Sequence, residues 1–496
     1  MGPHRGIATR KNDQNESNHF LFPLSPNYHS PLFSSHMGWV RVTTPLLFES
    51  KLLCISLLYL LTTVSLSIYI SFSKRGCFFF SSPLIPHHLI SYPSSYGEHK
   101  HALPASHSTC SSPVFFSDYR VAFEEIHNIC RNQSLSSMNY SSPVLSYLQG
   151  KGETFAGNFS AQKRRSFFYH GDDQVPVPCG FLRGFFAKES DRAAMEQCGG
   201  VVVVSAIFGD HDKIRQPKGL GFRTLEAVCF FMFIDDSTLK GLNSHKILAG
   251  DDSDMIGVWR VIRLFAGGLP YDNPAMNAVI PKYLVHRLFP NAKFSIWLDA
   301  KLQLTVDPLL LLHALLISKD ADMAVSKHPF NVHTMEEAMA TARWRKWWDI
   351  ESLRNQMETY CENGLQPWTP SKLPYTTDVP DTAMIARRHG MASNLFSCLM
   401  FNELEAFNPR DQLAFAYVRD MMSPQIRINM FDVEVFEQVV IEYRHNLKRD
   451  GAVPAAAAAT AARPIRRAEP VSIKGSKCEN YLLKMWGEAI DDNEGD

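Results

Sequence analysis

Phe294-Ser295-Ile296-Trp297-Leu298-Asp299-Ala300-Lys301 is an apolar run that ends in a carboxylate and a lysine, followed by Leu302-Gln303-Leu304-Thr305-Val306-Asp307-Pro308. Its first residues are β-branched and aromatic in character, the composition of a buried strand, and the acid stands where that strand would leave a sheet. In open α/β sheets ligands bind beyond the carboxyl ends of the strands. Asp299 is therefore placed for chemistry, or more plainly to end the strand and cap the next helix. The local sequence allows both.

Working toward the N-terminus, residues 274–289 carry Met276, Val279, Ile280, Tyr283, Leu284 and Leu288 at helical spacing. Before them lie three further strand candidates. Residues 200–207 are a continuous valine-rich run stopped by Phe208-Gly209-Asp210, residues 228–234 stop at Asp235-Asp236-Ser237, and residues 257–263 form the third. Such runs are typical of parallel strands covered on both faces. The alternation of strand and helix predicts an α/β sheet with its binding edge at the strand ends.

Toward the C-terminus, Asp307-Pro308 has the form of an N-cap with proline in the first turn, opening a helix over residues 309–318. Residues 322–326 read as a strand. Thr334 and Glu337 have capping-box spacing at the start of a long helix that includes Trp344, Trp347 and Trp348. Those tryptophans serve packing or, alternatively, a platform on which a sugar ring stacks. Next come a loop over 364–377, a strand over 382–387 preceded by Asp378 and Asp381, a carboxylate pair Glu403 and Glu405, and a helix opening near Arg410-Asp411-Gln412. The last folded stretch is 426–449.

The flanks differ in kind. Residues 1–51 are polar and unpatterned, as expected of a disordered cytosolic tail, and the alanine-rich, acidic-ended stretch 450–496 reads the same way. Residues 52–72 (LLCISLLYLLTTVSLSIYISF) carry no charge and lie between Lys51 and Lys74-Arg75. At 1.5 Å per residue they span a bilayer core of about 30 Å, which predicts a single membrane anchor. Residues 73–177, rich in Ser, Pro and His, read as a lumenal stem with little fold of its own. Asn132, Asn139 and Asn158 each open an Asn-x-Ser glycosylation site after the anchor, favouring a lumenal body, although Asn15 matches the same pattern before it. The 50 basic and 50 acidic residues cancel, so nothing in the charge balance points to nucleic acid. Ten cysteines show no CxxC or Cys/His metal spacing, and Cys179 and Cys198, which bracket the entry to the folded region, are a plausible disulfide.

Six motifs occur in fixed order: Pro178-Cys179-Gly180-Phe181, Ser205-Ala206-Ile207-Phe208-Gly209, Pro281-Lys282-Tyr283 running to His286-Arg287-Leu288-Phe289-Pro290, Trp297-Leu298-Asp299-Ala300-Lys301, Asp378-Val379-Pro380 and Arg410-Asp411-Gln412-Leu413. With them the chain resembles, over residues 178–449, a plant-centred family of membrane-anchored, glycosyltransferase-like proteins. That family includes a mucilage-related hexosyltransferase and a relative labelled alkaline ceramidase. The resemblance implies a GT-A-like (nucleotide-diphospho-sugar transferase) α/β domain with a mostly parallel sheet flanked by helices. It also implies a Golgi type II membrane protein with a lumenal catalytic domain, a nucleotide-sugar donor (a UDP-sugar) and a polysaccharide or glycan acceptor.

The donor is then expected at Asp299, Lys301, Phe208, Gly209 and Gln412. Enzymes of that fold carry Asp-x-Asp at the strand end, whereas this chain has Asp299-Ala300-Lys301. Lysine removes a hard oxygen ligand and brings its own positive charge, so Mn²⁺ or Mg²⁺ dependence is an open point. Asp299 and His445 are the metal-ligand candidates. Asp411, Asp378 and Asp381 are the candidates for handling the acceptor hydroxyl, with Asp411 favoured on position. Two other readings compete: a ceramidase-type lipid amide hydrolase of the Golgi or ER membrane, and a non-catalytic scaffold.

Overall fold

The computed structural model describes residues 51–73, 92–97, 114, 116–136, 145–149, 155–170, 176–180, 185, 187–248, 254–265, 267 and 269–444. The expectations for the terminal tails and for Asn139 and His445 lie outside the described residues. Two compact units are present. The first contains the helix Lys51–Ser73, long and apolar enough to cross a membrane by length and composition. The second contains everything C-terminal to it.

Ten strands are described in the second unit: β1 Val201–Ile207, β2 Val228–Ile234, β3 Met255–Ile256, β4 Trp259–Arg263, β5 Phe294–Leu298, β6 Leu302–Leu304, β7 Met323–Lys327, β8 Pro380–Arg388, β9 Ile428–Phe431 and β10 Val440–Glu442. Eight form one sheet in the order β3-β4-β2-β1-β5-β8-β7-β9, and β6 pairs with β10 in a second ladder. The pairings β4-β2, β2-β1, β1-β5 and β7-β9 are parallel, while β3-β4, β5-β8 and β8-β7 are antiparallel. The order reverses direction at β1, so β5 emerges beside the switch point, where an α/β sheet leaves a crevice.

Both faces are covered, which is why β1 opens on four consecutive valines. Val202 and Val204 join Phe231, Phe233 and Trp297 in one core, under the helices Pro274–Tyr283, Ile350–Glu362, Met391–Ala406 and Asp411–Met421. Val201 and Val203 join Phe230, Met232, Phe294 and Ile296 in the other, under Tyr119–Ser136, Pro308–Leu312 and Val433–Val439. The side-chain period of two sends alternate residues to opposite faces.

Several expectations are corrected. The span 73–177 is not only a stem. Tyr96, Tyr119 and Phe123 enter one core and Phe155, Phe167 and Phe168 the other. The carboxylate pair of Met391–Ala406 explains the attachment: Glu403 binds Arg164 at 2.9 Å, and Glu405 accepts the Ala156 N–H at 2.8 Å. These contacts are long-range, so local periodicity could not reveal them.

Cys179 and Cys198 are both in disulfides, but not with each other. Cys179 pairs with Cys398 and Cys198 with Cys229, at Cα–Cα distances of 4.6 and 6.3 Å that suit the bond. Asn402 donates to the Pro178 carbonyl at 2.8 Å, which brings Cys179 to the helix carrying Cys398, whereas Cys198 ends the helix Glu189–Gln197 near β2.

The capping box is displaced by one residue. His333 is the N-cap and Glu336, not Glu337, accepts the His333 N–H at 3.1 Å. The helix ends at Arg343, so the tryptophans lie beyond it. The predicted helix over 274–289 is two, Pro274–Tyr283 and Val285–Leu288.

Candidate active site

The backbone of Asp299 continues the β5 line, its N–H bonded to the Ala383 carbonyl at 2.8 Å. Ala383 in turn donates its N–H to Asp381 Oδ1 at 3.0 Å. The two acids therefore flank one residue of β8, where β5 and β8 run antiparallel. Trp297 Nε1 donates to Asp299 Oδ1 at 2.7 Å and fixes the carboxylate's orientation, while the side chain keeps 27% of its surface exposed.

Lys301 is brought to the same point by the β6–β10 ladder, in which Leu302 faces Glu442. Its Nζ donates to Glu442 Oε1 at 2.8 Å, and Tyr443 N–H bonds the Lys301 carbonyl at 3.0 Å. Burial by itself would lower the pKa of this ammonium, but the carboxylates of Asp299, Glu442 and Asp381 outweigh burial and hold it above its ordinary value. For Asp381 the balance is opposite. Burial raises its pKa, and the attraction of Lys301 only partly offsets that.

Behind Asp299 lies a buried polar knot. Lys282 Nζ is 3.8 Å from Asp299 Oδ1 and 2.6 Å from Asp411 Oδ2, and donates to Thr382 Oγ1 at 3.2 Å. Thr382 donates to Asp411 Oδ1 at 2.7 Å and the Tyr283 hydroxyl to Asp411 Oδ2 at 3.0 Å. Burial would raise the pKa of Asp411, but Lys282 and these donors hold it below its ordinary value. The buried Arg387, its guanidinium 5.4 Å from the Tyr283 ring centre, is lowered to about 10 by burial.

The placements change the roles expected of three acids. Asp411 is saturated with donors and Asp378 is 1% exposed, clamped by Arg419 at 2.6 Å and Lys372 at 3.0 Å. Neither is built to take a proton from a substrate. Asp381, partly exposed and made more basic by its burial, is the one of the three that stands beside Asp299.

Gly209, at φ +80°, donates its N–H to Asp235 Oδ2 at 2.9 Å, so the β1 and β2 ends are stitched together, and Asp235 Oδ1 caps the next helix through Thr238 N–H. Phe208 is buried beside it, and Gln412 stands half-buried in the first turn of Asp411–Met421. Sequence reasoning missed Lys282, which sits in the Pro281-Lys282-Tyr283 motif without a role, and Glu442, for which no local signal exists.

A divalent cation fits the described donor set poorly. Magnesium and manganese want several oxygen ligands free of fixed positive charge. Here Glu442 binds an ammonium directly and the charges of Asp299 and Asp381 act on the same ammonium. The described His/Cys/Asp/Glu group close enough to share an ion is Cys179, His286 and Cys398, and its two sulfurs are bonded to each other.

Residues 142–445 match the family model described as TOD1/MUCI70, glycosyltransferase-like domain. The chain belongs to this family. It is 58% identical over 469 residues to "Alkaline ceramidase TOD1" of Arabidopsis thaliana, covering 91% of this chain and 100% of that protein. It is 37% identical over 315 residues to "Probable hexosyltransferase MUCI70" of the same plant, covering 61% of this chain and 53% of that one. The match thus spans about half the length of MUCI70. Among solved structures, mouse xyloside xylosyltransferase 1 aligns with a TM-score of 0.30 at 9% identity, over 47% of this chain and 85% of that one, a match too loose to bear on function. A TOD1/MUCI70 domain therefore carries the Asp299 site on a mixed α/β frame, with a mostly parallel sheet between helices.

Proposed function

We propose that this protein transfers a hexose from a nucleoside diphosphate sugar, a UDP-sugar, to a cell-wall or mucilage polysaccharide. In this reading it is a single-pass type II protein of the Golgi membrane. The observation that carries the proposal is the placing of Asp299 and Lys301 together where β5 leaves the sheet, with Lys301 bonded to Glu442 at 2.8 Å and its charge favoured by the nearby carboxylates of Asp299 and Asp381. The family's glycosyltransferase-like description and the hexosyltransferase name of one relative support it. The apolar helix and the Asn132, Asn139 and Asn158 sites beyond it support the topology.

In this reading Phe208 and Gly209 border the nucleotide base, Asp299 orients the ribose and Gln412 faces the donor sugar. An ammonium offers three donors and Glu442 takes one, so Lys301 has two for the diphosphate. Transfer breaks the bond between the anomeric carbon and the diphosphate oxygen and forms one to the acceptor oxygen. Lys301 receives the charge that develops on the leaving phosphate, and Asp381 takes the acceptor's proton. No step requires a metal.

The test is UDP or GDP release by the full chain in detergent across a panel of nucleotide sugars, with Asp299→Ala as control. Release from one donor, lost in the variant, supports the proposal; folded protein that neither binds nor turns over any donor removes it. A second reading, hydrolysis of a ceramide amide bond, is favoured by the 58% identity to a relative named alkaline ceramidase. Fatty-acid release from ceramide by the same preparation, unaffected by Asp299→Ala, would select it.

A further inference from the structure

The loop after β7 and the turn after the helix Thr334–Arg343 bring large aromatic side chains to the surface. Phe330 is 85% exposed, Trp344 73% and Trp348 52%. Isolated exposed apolar residues are ordinary, but indoles interleaved with bases are a pattern. Residues 343–348 read Arg343-Trp344-Arg345-Lys346-Trp347-Trp348, with Arg343, Arg345 and Lys346 all on the surface. Arg345 is held at φ +48°, a conformation that a non-glycine residue adopts at a cost.

One buried carboxylate makes this surface rigid. Glu337, its side chain fully buried, accepts from Arg410 at 2.6 Å, Lys346 at 3.2 Å and Asn331 at 2.7 Å, and lies 3.5 Å from His328. The loop bearing Phe330 and the turn bearing the tryptophans are thus tied to a single point. That point is tied to the active site as well. Arg410 precedes Asp411, and Asp411 holds the Lys282 ammonium beside Asp299. Because β5 and β7 are each antiparallel to β8, they run parallel to each other. The loop after Lys327 therefore leaves the sheet at the same edge as Asp299.

We infer that Phe330, Trp344 and Trp348, with Arg343, Arg345 and Lys346, form the acceptor subsite for an acidic, uronate-bearing polysaccharide. Indole faces stack on the C–H faces of pyranose rings, and guanidinium groups pair with carboxylates in a planar, bidentate manner. A neutral glycan would use the rings alone and a simple anion the bases alone; the alternation suits a chain that presents both. The inference rests on the transferase reading for its purpose, but its binding test does not use the donor.

The full chain in detergent is titrated with oligogalacturonate and, separately, with a neutral oligogalactan of equal length, following tryptophan fluorescence. The acidic oligomer should bind at least about tenfold more tightly than the neutral one and weaken as salt is added. Trp344→Ala/Trp348→Ala and Arg345→Glu should each weaken it about tenfold, with the thermal midpoint unchanged because the replaced side chains are exposed. Equal affinity for the two oligomers, or variants that bind like the parent, would overturn the inference. So would quenching of the parent in brominated phosphatidylcholine bilayers that Trp344→Ala removes, since the surface would then lie on lipid. Acidic-oligomer binding that survives while no donor is turned over would sink the transferase reading and leave this surface standing.

Discussion

Lys301 Nζ lies 2.8 Å from Glu442 Oε1, so the lysine two positions after Asp299 is held by a carboxylate from the far end of the domain. The ion pair is built into the fold by the β6–β10 ladder, in which Leu302 faces Glu442. If the ammonium does the work of a metal ion, Lys301→Ala should cut transfer by at least about a hundredfold, the usual loss when one charge-stabilising group is removed. Lys301→Asp, which puts an oxygen ligand in place of the ammonium, should regain part of that rate only when Mn²⁺ is added. Steady-state rates with and without EDTA check both.

Asp381 should set the acid limb of the rate. Its pKa is raised by burial, so kcat/KM should fall as pH drops through a value above the ordinary aspartate figure of about 3.9. A carboxylate whose folded-state pKa is raised costs stability once it is ionised, above its unfolded pKa. Asp381→Asn should therefore abolish transfer while leaving the thermal midpoint equal or higher, which calorimetry would read.

Asp411 should behave in the opposite way. Its folded-state pKa is depressed, so its contribution to stability is present above the unfolded value of about 4 and is lost as pH falls through the folded one. Asp411→Asn takes the nearer carboxylate from the buried Lys282 ammonium, leaving it only Asp299 at 3.8 Å, and should cost up to about 3–5 kcal/mol, measured by denaturant unfolding. Under the base role expected from sequence position, the same change would leave stability nearly untouched.

The domain boundary gives a coarser test. A chain beginning at residue 178 loses Arg164, the partner of buried Glu403, together with Phe155, Phe167 and Phe168. It should be insoluble or lack a cooperative melt, whereas a chain beginning before residue 92 should fold; limited proteolysis and calorimetry of the two distinguish the outcomes.

How much of the fold was legible in the sequence depends on range. Continuous runs such as 201–207 and 228–234 declare buried parallel strands, and the caps Asp307 and Asp235 are written within three residues of the groups they bind. The place of Asp299 just past the end of β5 was readable because an apolar run stopped by a carboxylate is a local pattern. Glu442, 141 positions from Lys301, and Lys282, 129 from Asp411, act across the fold, and nothing local marks them. The same holds for Cys398 as partner of Cys179, at a separation of 219. Asp411 looked free in sequence because its three donors come from the helix Pro274–Tyr283 and from β8.

The most direct measurement is nucleotide release by the full chain from UDP- and GDP-sugars, run in EDTA and in Mn²⁺, for the parent, Asp299→Ala and Lys301→Ala. Release from one donor should persist in EDTA and be lost in both variants. Release that vanishes in EDTA but survives in Lys301→Ala would contradict the role given to Lys301, because the charge on the leaving diphosphate would then be carried by a metal and not by the lysine.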